Sequence, residues 1–369
     1  MMYINKSKKI VIKIGSSTLI DKKGKLKKTW LKSLVADIKN LIKHNKQIII
    51  VSSGAIALGG EYLAIKKKNL RIDKSQAVAS VGQIILMDFY KKAFDRSKIK
   101  ISQILLTLDD TEQRRRSINA KRTFDNLLKM GVIPIVNEND TTATAEIKYG
   151  DNDRLAARVS QIVSADCLIL LSDVNGLYTK DPKKNKKIKL VKIVKEINND
   201  IKKYAARAKN FYGSGGMKTK IDAAKICQLS GCYMAIANGN FLNPIKKIID
   251  YGNCTWFLPK ISKLDARKKW IIGSVAPKGS VTVDPGAEAA IKNGKSLLPA
   301  GVIKINGKFE KGDHILVENV NNIECGRGLS SFSSREIEKI KGSHSSKIKS
   351  ILGYSSGDEI IHKDDLVKV

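Results

Sequence analysis

The sequence predicts an α/β protein with an open, mainly parallel sheet and helices on both faces, followed by a small, mostly β C-terminal domain. Three observations support this prediction. The chain has 369 residues, which is enough for two domains. Its first part alternates apolar, strand-like runs with amphipathic helical stretches, as parallel sheets require. Beyond about residue 278 the pattern changes to short β-like segments separated by glycine and turn residues.

Hydrophobic periodicity places the individual elements. Trp30, Leu34, Ile38 and Leu41 recur at helical spacing, whereas the continuous apolar run 48–51 is typical of a strand buried on both faces. Strands are predicted at residues 10–14, 47–51, 101–106, 132–136, 167–171 and 233–237. Helices are predicted at residues 30–43, 75–94, 152–164 and 218–230.

The C-terminal part has room for short elements only. Strands are predicted there at residues 280–283, 302–305, 314–317 and 359–362, with short helices at 286–292 and 334–340. We therefore expect a first domain over residues 1–260, a linker over 261–277 and a second domain over 278–369.

Composition excludes several classes of protein. With 42% hydrophobic and 28% charged residues, the chain is neither disordered nor collagen-like. No apolar run approaches the length that crosses a bilayer, and the first residues lack a signal-peptide core. The five cysteines are scattered, which favours free thiols in a reducing compartment over disulfides or a zinc site. We expect a cytoplasmic protein without a membrane partner.

The charge balance leaves two interpretations open. Lysine and arginine number 68 and aspartate and glutamate 35, so the net charge is +33. Only 12 of the 68 basic residues are arginine, and the lysines are spread along the whole chain. Specific phosphate recognition tends to use clustered arginine, so we favour a compositional bias over a nucleic-acid surface. RNA remains a possible partner, and its binding would be nonspecific and salt-sensitive.

Candidate site residues follow the predicted strands, where the carboxyl ends of parallel strands border the ligand crevice. Lys13 precedes a glycine and three hydroxyl residues, and Ser53 lies in the glycine-rich segment 52–60. Backbone N–H groups in such segments can bind an anion. Taken alone, the Lys13 segment is better explained as a solvated lysine before an ordinary turn, and the segment 52–60 could be a simple helix cap.

Two further segments contain groups that could bind a ligand or take part in catalysis. Seven acidic or amide side chains occur in the two segments 137–140 and 151–153, where they could bind an ammonium group, orient lysines or hold Mg²⁺. Residues 212–220 form a glycine-rich loop that opens a helix with Lys218 and Lys220 in its first turn. Because the helix dipole disfavours cations there, their presence favours a bound phosphate. The four segments together suit phosphoryl transfer, which relies on positioning and charge neutralisation.

The ordered motifs resemble the glutamate 5-kinase branch of the amino-acid kinase family, whose bacterial members carry a C-terminal PUA domain. The matching motifs are VIKIGSS at 11–17, VSSGAIA at 51–57, VNEND at 136–140, GDND at 150–153, LSDVNGLYT at 171–179 and SGGMKTK at 214–220. The resemblance covers nearly the whole chain. It implies an amino-acid kinase fold, a PUA-like tail and transfer of the ATP γ-phosphate to the side-chain carboxylate of L-glutamate, the first step towards proline.

The resemblance also implies roles for individual residues. Lys13 and Lys220 would neutralise the transferred phosphoryl group, and Asp153 would orient the two lysines. The residues implied in glutamate binding are Ser53, Asn137, Asp140, Asp151 and Asn152. Those implied in binding ATP with Mg²⁺ are Lys13, Ser172, Asp173, Ser214, Gly215, Gly216, Met217, Lys218, Thr219 and Lys220. No set of metal ligands is assigned.

The same resemblance implies a homo-oligomer, either a dimer or a tetramer, and proline as a feedback inhibitor. Phe211 stands where relatives often have glycine, which bears on loop mobility and on that inhibition. Three alternatives stay open at this point. They are another kinase of the same family with a different acceptor, an RNA-binding protein that uses its PUA-like tail, and a regulatory protein with an inactive kinase fold.

Overall fold

The computed structural model of the chain describes residues 2–21, 24–65, 70–143, 152–179, 188–207, 216–263, 265–266, 277–354 and 357–368. Contacts divide the chain into two units, Met1–Ser262 and Lys263–Val369. Most of the expected linker, 261–277, lies outside the described residues.

Eight strands form the sheet of the first unit, in the order β3-β4-β2-β1-β5-β7-β8-β6. The six strands from β3 to β7 in that order are parallel, and β8 pairs antiparallel with β7. The predicted mainly parallel sheet is therefore confirmed. The strands are β1 (Lys9–Ile14), β2 (Gln47–Val51), β3 (Ile101–Leu106), β4 (Ile133–Glu138), β5 (Cys167–Ser172), β6 (Ile193–Val194), β7 (Tyr233–Asn238) and β8 (Cys254–Phe257).

Helices cover both faces of this sheet, which explains why its central strands are apolar throughout. Ile10, Ile12 and Ile14 of β1 pack in a core with α3 and α5, while Val11 packs in a second core with α8 and α10. The helices are α1 (Met2–Lys6), α2 (Ser16–Leu19), α3 (Lys28–Lys43), α4 (Ala55–Tyr62), α5 (Ile72–Asp95), α6 (Leu108–Glu112), α7 (Arg114–Lys129), α8 (Asn152–Ile162), α9 (Asn199–Arg207), α10 (Met217–Leu229) and α11 (Pro244–Tyr251).

The second unit is built on a five-stranded sheet in the order β10-β9-β11-β12-β13. It has its own core, which includes Val281, Ile315, Phe332 and Ile337. Its elements are β9 (Gly279–Val283), α12 (Pro285–Lys292), β10 (Val302–Gly307), β11 (His314–Glu318), β12 (Glu324–Leu329), α13 (Ser334–Ile340), α14 (Ile348–Leu352) and β13 (Leu366–Lys368). The mostly β character of the tail is thus confirmed.

The strand predicted at residues 359–362 is wrong, and the strand β12 was not predicted. Ile360 and Ile361 are both fully buried, so they do not alternate as strand residues do, and only Ile361 forms a β-bridge, with Leu297. The Ile361 side chain also explains a glycine in β12, because a Cβ on Gly328 would lie 2.5 Å from its Cγ2. Glycines of this kind hide a strand from propensity arguments.

All five cysteines are free and buried, as the composition predicts. No helix in the described ranges is long and apolar enough to span a membrane.

Candidate active site

Lys13 lies where β1 reaches the carboxyl edge of the sheet. Because side chains alternate along a strand, Lys13 faces the same side as Val11, towards α8 and α10. Lys13 is only 9% exposed. A lysine is rarely buried unless an opposite charge pairs with it. The counter-charge is therefore expected from one of these two helices.

Asp153, in the first turn of α8, is that counter-charge. Lys13 Nζ lies 2.6 Å from Asp153 Oδ1, and Lys220 Nζ of α10 lies 3.0 Å from Asp153 Oδ2. Asp153 is fully buried and Lys220 is 6% exposed. One carboxylate thus pairs with two ammonium groups that are distant in sequence, and the three predicted catalytic residues form a single cluster.

Burial and neighbouring charges shift the pKa values of this cluster in opposite directions. Burial raises the pKa of the Asp153 carboxyl, but the charges and hydrogen bonds of the two lysines outweigh burial and bring the pKa to about 2. Burial lowers the pKa of Lys13, an effect that Asp153 opposes and the like charge of Lys220 reinforces. Two cations beside one anion leave a net positive charge in a recess shielded from water. Such a centre attracts a further anion.

The start of α10 adds backbone donors to the same place. Gly216 is its N-cap residue, and no side chain in the described ranges caps the helix. Thr219 Oγ1 lies 3.2 Å from Asp153 Oδ2 and 2.8 Å from the carbonyl oxygen of Gly216. Met217 is buried and Lys218 is exposed. The first N–H groups of α10 are thus available to a phosphate next to the lysine pair.

A chain of carboxamide groups connects α8 with α5. Asn152 Nδ2 donates to the carbonyl oxygen of Ser52 over 3.1 Å and lies 3.5 Å from Asn137 Oδ1. Asn137 Nδ2 in turn donates to Gln83 Oε1 over 2.8 Å. The structure therefore brings two predicted substrate residues into contact, and it adds Gln83, which the sequence did not single out. A polar residue within an amphipathic helix carries no signal that separates it from an ordinary surface residue.

The segment that follows β2 is held by close helix packing. Ser53 Oγ donates to the last carbonyl of β1 over 3.2 Å, and Gly54 adopts a φ of +114°, which favours glycine. Helices α4 and α5 touch through their backbones. A Cβ on Gly59 would lie 1.9 Å from a carbonyl oxygen of α5, and a Cβ on Gly82 would lie 1.8 Å from a carbonyl oxygen of α4. These contacts fix the segment that carries Ser53.

Ser172 ends β5, which lies beside β1, and Asp173 follows it. Ser172 Oγ donates to Asp173 Oδ1 over 3.1 Å. The N–H of Gly239, after β7, donates to the Ser172 carbonyl oxygen over 2.7 Å, and the Gly239 carbonyl accepts from the Trp30 indole over 2.6 Å. The sequence did not predict that Trp30 and Gly239 support Ser172 through these hydrogen bonds. The bonds join segments that are far apart in the chain.

Asp140 borders a cavity of about 180 Å³ that lies between α5, β3 and the segment after β4. Burial raises the pKa of its carboxyl to about 6. Polar side chains that line the same cavity include Gln83, Gln103, Glu138 and Asn139. Three of the predicted site residues, Asp151, Ser214 and Gly215, lie outside the described residues.

The donor set bears on Mg²⁺. In the described part of the chain, no three His, Cys, Asp or Glu side chains cluster as metal ligands would. Asp173 is exposed at the edge of the sheet and close enough to act on the pKa of Lys13. Protein-bound Mg²⁺ is commonly held by one or two carboxylates together with phosphates and water. The residues thus fit Mg²⁺ that arrives with a nucleotide.

Comparisons with known proteins identify the family of the chain. The amino acid kinase family model matches residues 8–238, and the PUA domain model matches residues 279–352. The chain is 65% identical to a glutamate 5-kinase of Pelagibacter ubique (strain HTCC1062), over 100% of both chains. It is 47% identical to one of Paramagnetospirillum magneticum (strain ATCC 700264 / AMB-1), over 98% of both.

A solved structure shows the same fold at low identity. Carbamate kinase from Giardia lamblia bound to AMP-PNP superposes with a TM-score of 0.50 at 14% identity, covering 69% of this chain and 100% of that one. Taken together, the family models and the full-length relatives establish that the chain belongs to the amino acid kinase family, in its glutamate 5-kinase branch with a C-terminal PUA domain.

Proposed function

We propose that the protein transfers the γ-phosphoryl group of ATP to the side-chain carboxylate of L-glutamate, giving L-glutamyl 5-phosphate and ADP. The observation that carries this proposal is the Lys13–Asp153–Lys220 cluster, which holds two buried cations at the edge of a parallel sheet. The relatives that share the full length of the chain carry the name of this enzyme.

The reaction needs charge neutralisation more than proton transfer. A carboxylate oxygen of glutamate attacks the γ-phosphorus, the bond from phosphorus to the bridging oxygen breaks, and ADP leaves with the electron pair. The attacking carboxylate is already ionised at neutral pH, so no general base is required. Both reactants are anions, and Lys13 and Lys220 offset their repulsion and the charge that spreads over the phosphoryl oxygens.

Asp153 serves as a positioning residue in this mechanism. Its two oxygens fix the two ammonium groups, so the lysines need not reorganise when the phosphoryl group moves. Its low pKa keeps it ionised throughout the physiological range. Asp153 therefore remains an anion that holds the lysines, and it is not a proton carrier.

The remaining site residues divide between the two substrates. Carboxylates and amides suit the ammonium and carboxylate groups of an amino acid, and the residues proposed for glutamate are Ser53, Asn137, Asp140, Asp151 and Asn152. Hydroxyl and backbone N–H donors suit phosphates, and those proposed for ATP are Ser172, Asp173 and the segment 214–220, together with Lys13. Mg²⁺ bound with ATP and held by Asp173 would supply further neutralisation of the phosphates.

The test is formation of a glutamate-dependent hydroxamate when ATP, Mg²⁺, L-glutamate and hydroxylamine are combined. Lys220→Ala is expected to abolish it. Lys225→Ala is a matched control on the same helix, since Lys225 is half exposed and pairs with Asp222. No hydroxamate from a folded wild-type protein that binds ATP would refute the proposed reaction and favour either a different acceptor or the RNA-binding alternative.

Further properties belong to the same proposal. We propose a homo-oligomer, either a dimer or a tetramer, and feedback inhibition by proline. A cytoplasmic location and RNA binding by the second unit stay predictions from the sequence.

A further inference from the structure

The first unit carries most of the excess positive charge of the chain. Residues 1–262 contain 50 of the 68 basic side chains and 22 of the 35 acidic ones, so they contribute +28 to the net charge of +33. Residues 263–369 contain 18 basic and 13 acidic side chains. A surface that attracts polyanions is therefore expected on the first unit rather than on the second.

Helix α3 concentrates this charge on its exposed face. Its basic residues, all of them exposed, form a lysine row that consists of Lys28, Lys32, Lys39 and Lys43. At about 100° and 1.5 Å per residue, the row falls within an arc of about 60° and is about 22 Å long. The one acidic residue of α3, Asp37, is buried and accepts hydrogen bonds from the start of α11. The exposed face of α3 is thus cationic along its whole length.

The lysine row lacks the counter-charges that other exposed lysines have. Within the described ranges, no lysine of the row forms an ion pair. On α5, by contrast, Lys91 and Lys92 each lie 2.6 Å from an aspartate four residues away. The row instead places like charges at i and i+4 twice, which destabilises a helix. A lysine-rich composition does not explain this difference between helices, whereas an anion from outside the chain does.

An aromatic side chain lies beside α3. The segment 239–243 runs along this helix, because the Gly239 carbonyl accepts from the Trp30 indole and the Asn243 N–H donates to Ser33 Oγ over 3.0 Å. Between these two contacts, Phe241 is 47% exposed, and Lys247 Nζ lies 4.3 Å from the centre of its ring. Cations with an interleaved aromatic ring are the usual surface for single-stranded nucleic acid, whose bases stack on the ring.

We propose that the lysine row and Phe241 bind a single strand of nucleic acid through its phosphodiester backbone, without reading its sequence. This inference goes beyond the kinase reaction and does not depend on it. A bilayer suits the surface less, because Ile42 is the one large apolar side chain exposed on α3, whereas membrane-bound helices insert an apolar face. A second copy of the chain presents the same positive charge, so the row does not pair with itself.

The experiment titrates a fluorescent oligouridylate of about 20 nucleotides with the full chain and follows its anisotropy at several salt concentrations. Each phosphate contact to a single strand contributes about −0.7 to the slope of log K against log salt. Replacing all four lysines of the row by glutamine should therefore make the slope shallower by about 3 and weaken binding at 0.1 M salt about a hundredfold. Phe241→Leu should weaken binding about tenfold and leave the slope unchanged. Oligothymidylate should bind within about threefold of oligouridylate, since the 2′-hydroxyl is not read.

The matched control removes the same net charge from ion-paired lysines of the first unit. Its four glutamine substitutions are at Lys91, Lys92, Lys225 and Lys260. This control should weaken binding less than about fivefold. The melting temperature of the row variant should equal or exceed that of wild type, because the substitutions remove two like-charge pairs.

Four results would each overturn the proposal. The wild type does not bind the oligouridylate at 0.05 M salt, or the row variant and the control lose affinity equally. Binding is lost in Lys347→Gln with Lys349→Gln and kept in the row variant, which would place it on the second unit. Vesicles that contain phosphatidylserine, and not the oligouridylate, bind in a way that depends on the row.

Discussion

Replacing Asp153 with asparagine tests the charge balance of the site. Asparagine has nearly the size of aspartate and resembles its protonated form, so the variant keeps the shape and removes the charge. Two lysines that are 9% and 6% exposed then lose the anion that pairs with both of them. We expect the variant to be less stable and to lose phosphoryl transfer, because the ammonium groups repel each other and move apart.

The magnitude follows from the pKa of Asp153. The ordinary value for an aspartate is 3.8, and the folded protein lowers it to about 2. The difference of nearly two pH units corresponds to about 2.5 kcal/mol in favour of the ionised form. Asp153→Asn should therefore lower the free energy of unfolding by about 2–3 kcal/mol at pH 7, and the melting temperature by roughly 5–10 °C.

The pH dependence has a defined sign. Because the folded pKa lies below the unfolded one, the stabilisation by Asp153 is complete above about pH 5 and is lost as the pH falls towards 2. At pH 3 about half of the difference between wild type and variant should remain.

Urea denaturation of both proteins at pH 7 and at lower pH measures these differences. Asp222→Asn is the matched control, since Asp222 forms an exposed pair with Lys225 on α10, and it should cost less than about 1 kcal/mol. If Asp153→Asn unfolds at the wild-type urea concentration at pH 7, or if the difference does not shrink with acid, the account of the cluster is refuted.

Three further predictions concern the surrounding residues. The pKa of Asp140 is raised to about 6, so KM for glutamate should fall as the pH rises from 5 to 7, and Asp140→Asn should flatten that profile in steady-state assays. Gly82→Ala should destabilise the protein by at least about 1–3 kcal/mol and raise KM for glutamate, because its Cβ would lie 1.8 Å from a carbonyl oxygen of α4. Thermal melts measure the loss of stability. Gly60→Ala is the control, since its Cβ would have no neighbour closer than 3.4 Å. Trp30→Phe should lower the free energy of unfolding by about 1–3 kcal/mol and raise KM for ATP, because the Gly239 carbonyl loses its indole donor. An unchanged KM for ATP would show that this hydrogen bond from α3 does not support the nucleotide site.

Long, strongly periodic segments allowed the fold to be predicted from the sequence. The central strands are continuous apolar runs bounded by polar ends, and helices such as α3 carry a single apolar stripe. The short strands β6 and β8 were not predicted because β6 pairs with β8 across a long stretch of chain. The strand β12 was not predicted because its glycines weaken the strand pattern, although its partner β11 is close in the chain. The strand assigned to residues 359–362 failed for the opposite reason, since two consecutive buried isoleucines imitate a strand where the chain makes one bridge.

The sequence by itself determined the chemical inventory of the site and its order along the chain. Lys13, Asp153 and Lys220 were identifiable because each occurs in a segment that follows a strand or opens a helix, where the backbone exposes polar groups to a crevice. Only the tertiary structure decided how they pair, because α8 and α10 bring their first turns together across the end of β1. The direction of the Asn152–Asn137–Gln83 chain was likewise decided by folding, since the Ser52 carbonyl that orients it follows β2, whereas the three side chains belong to α8, β4 and α5.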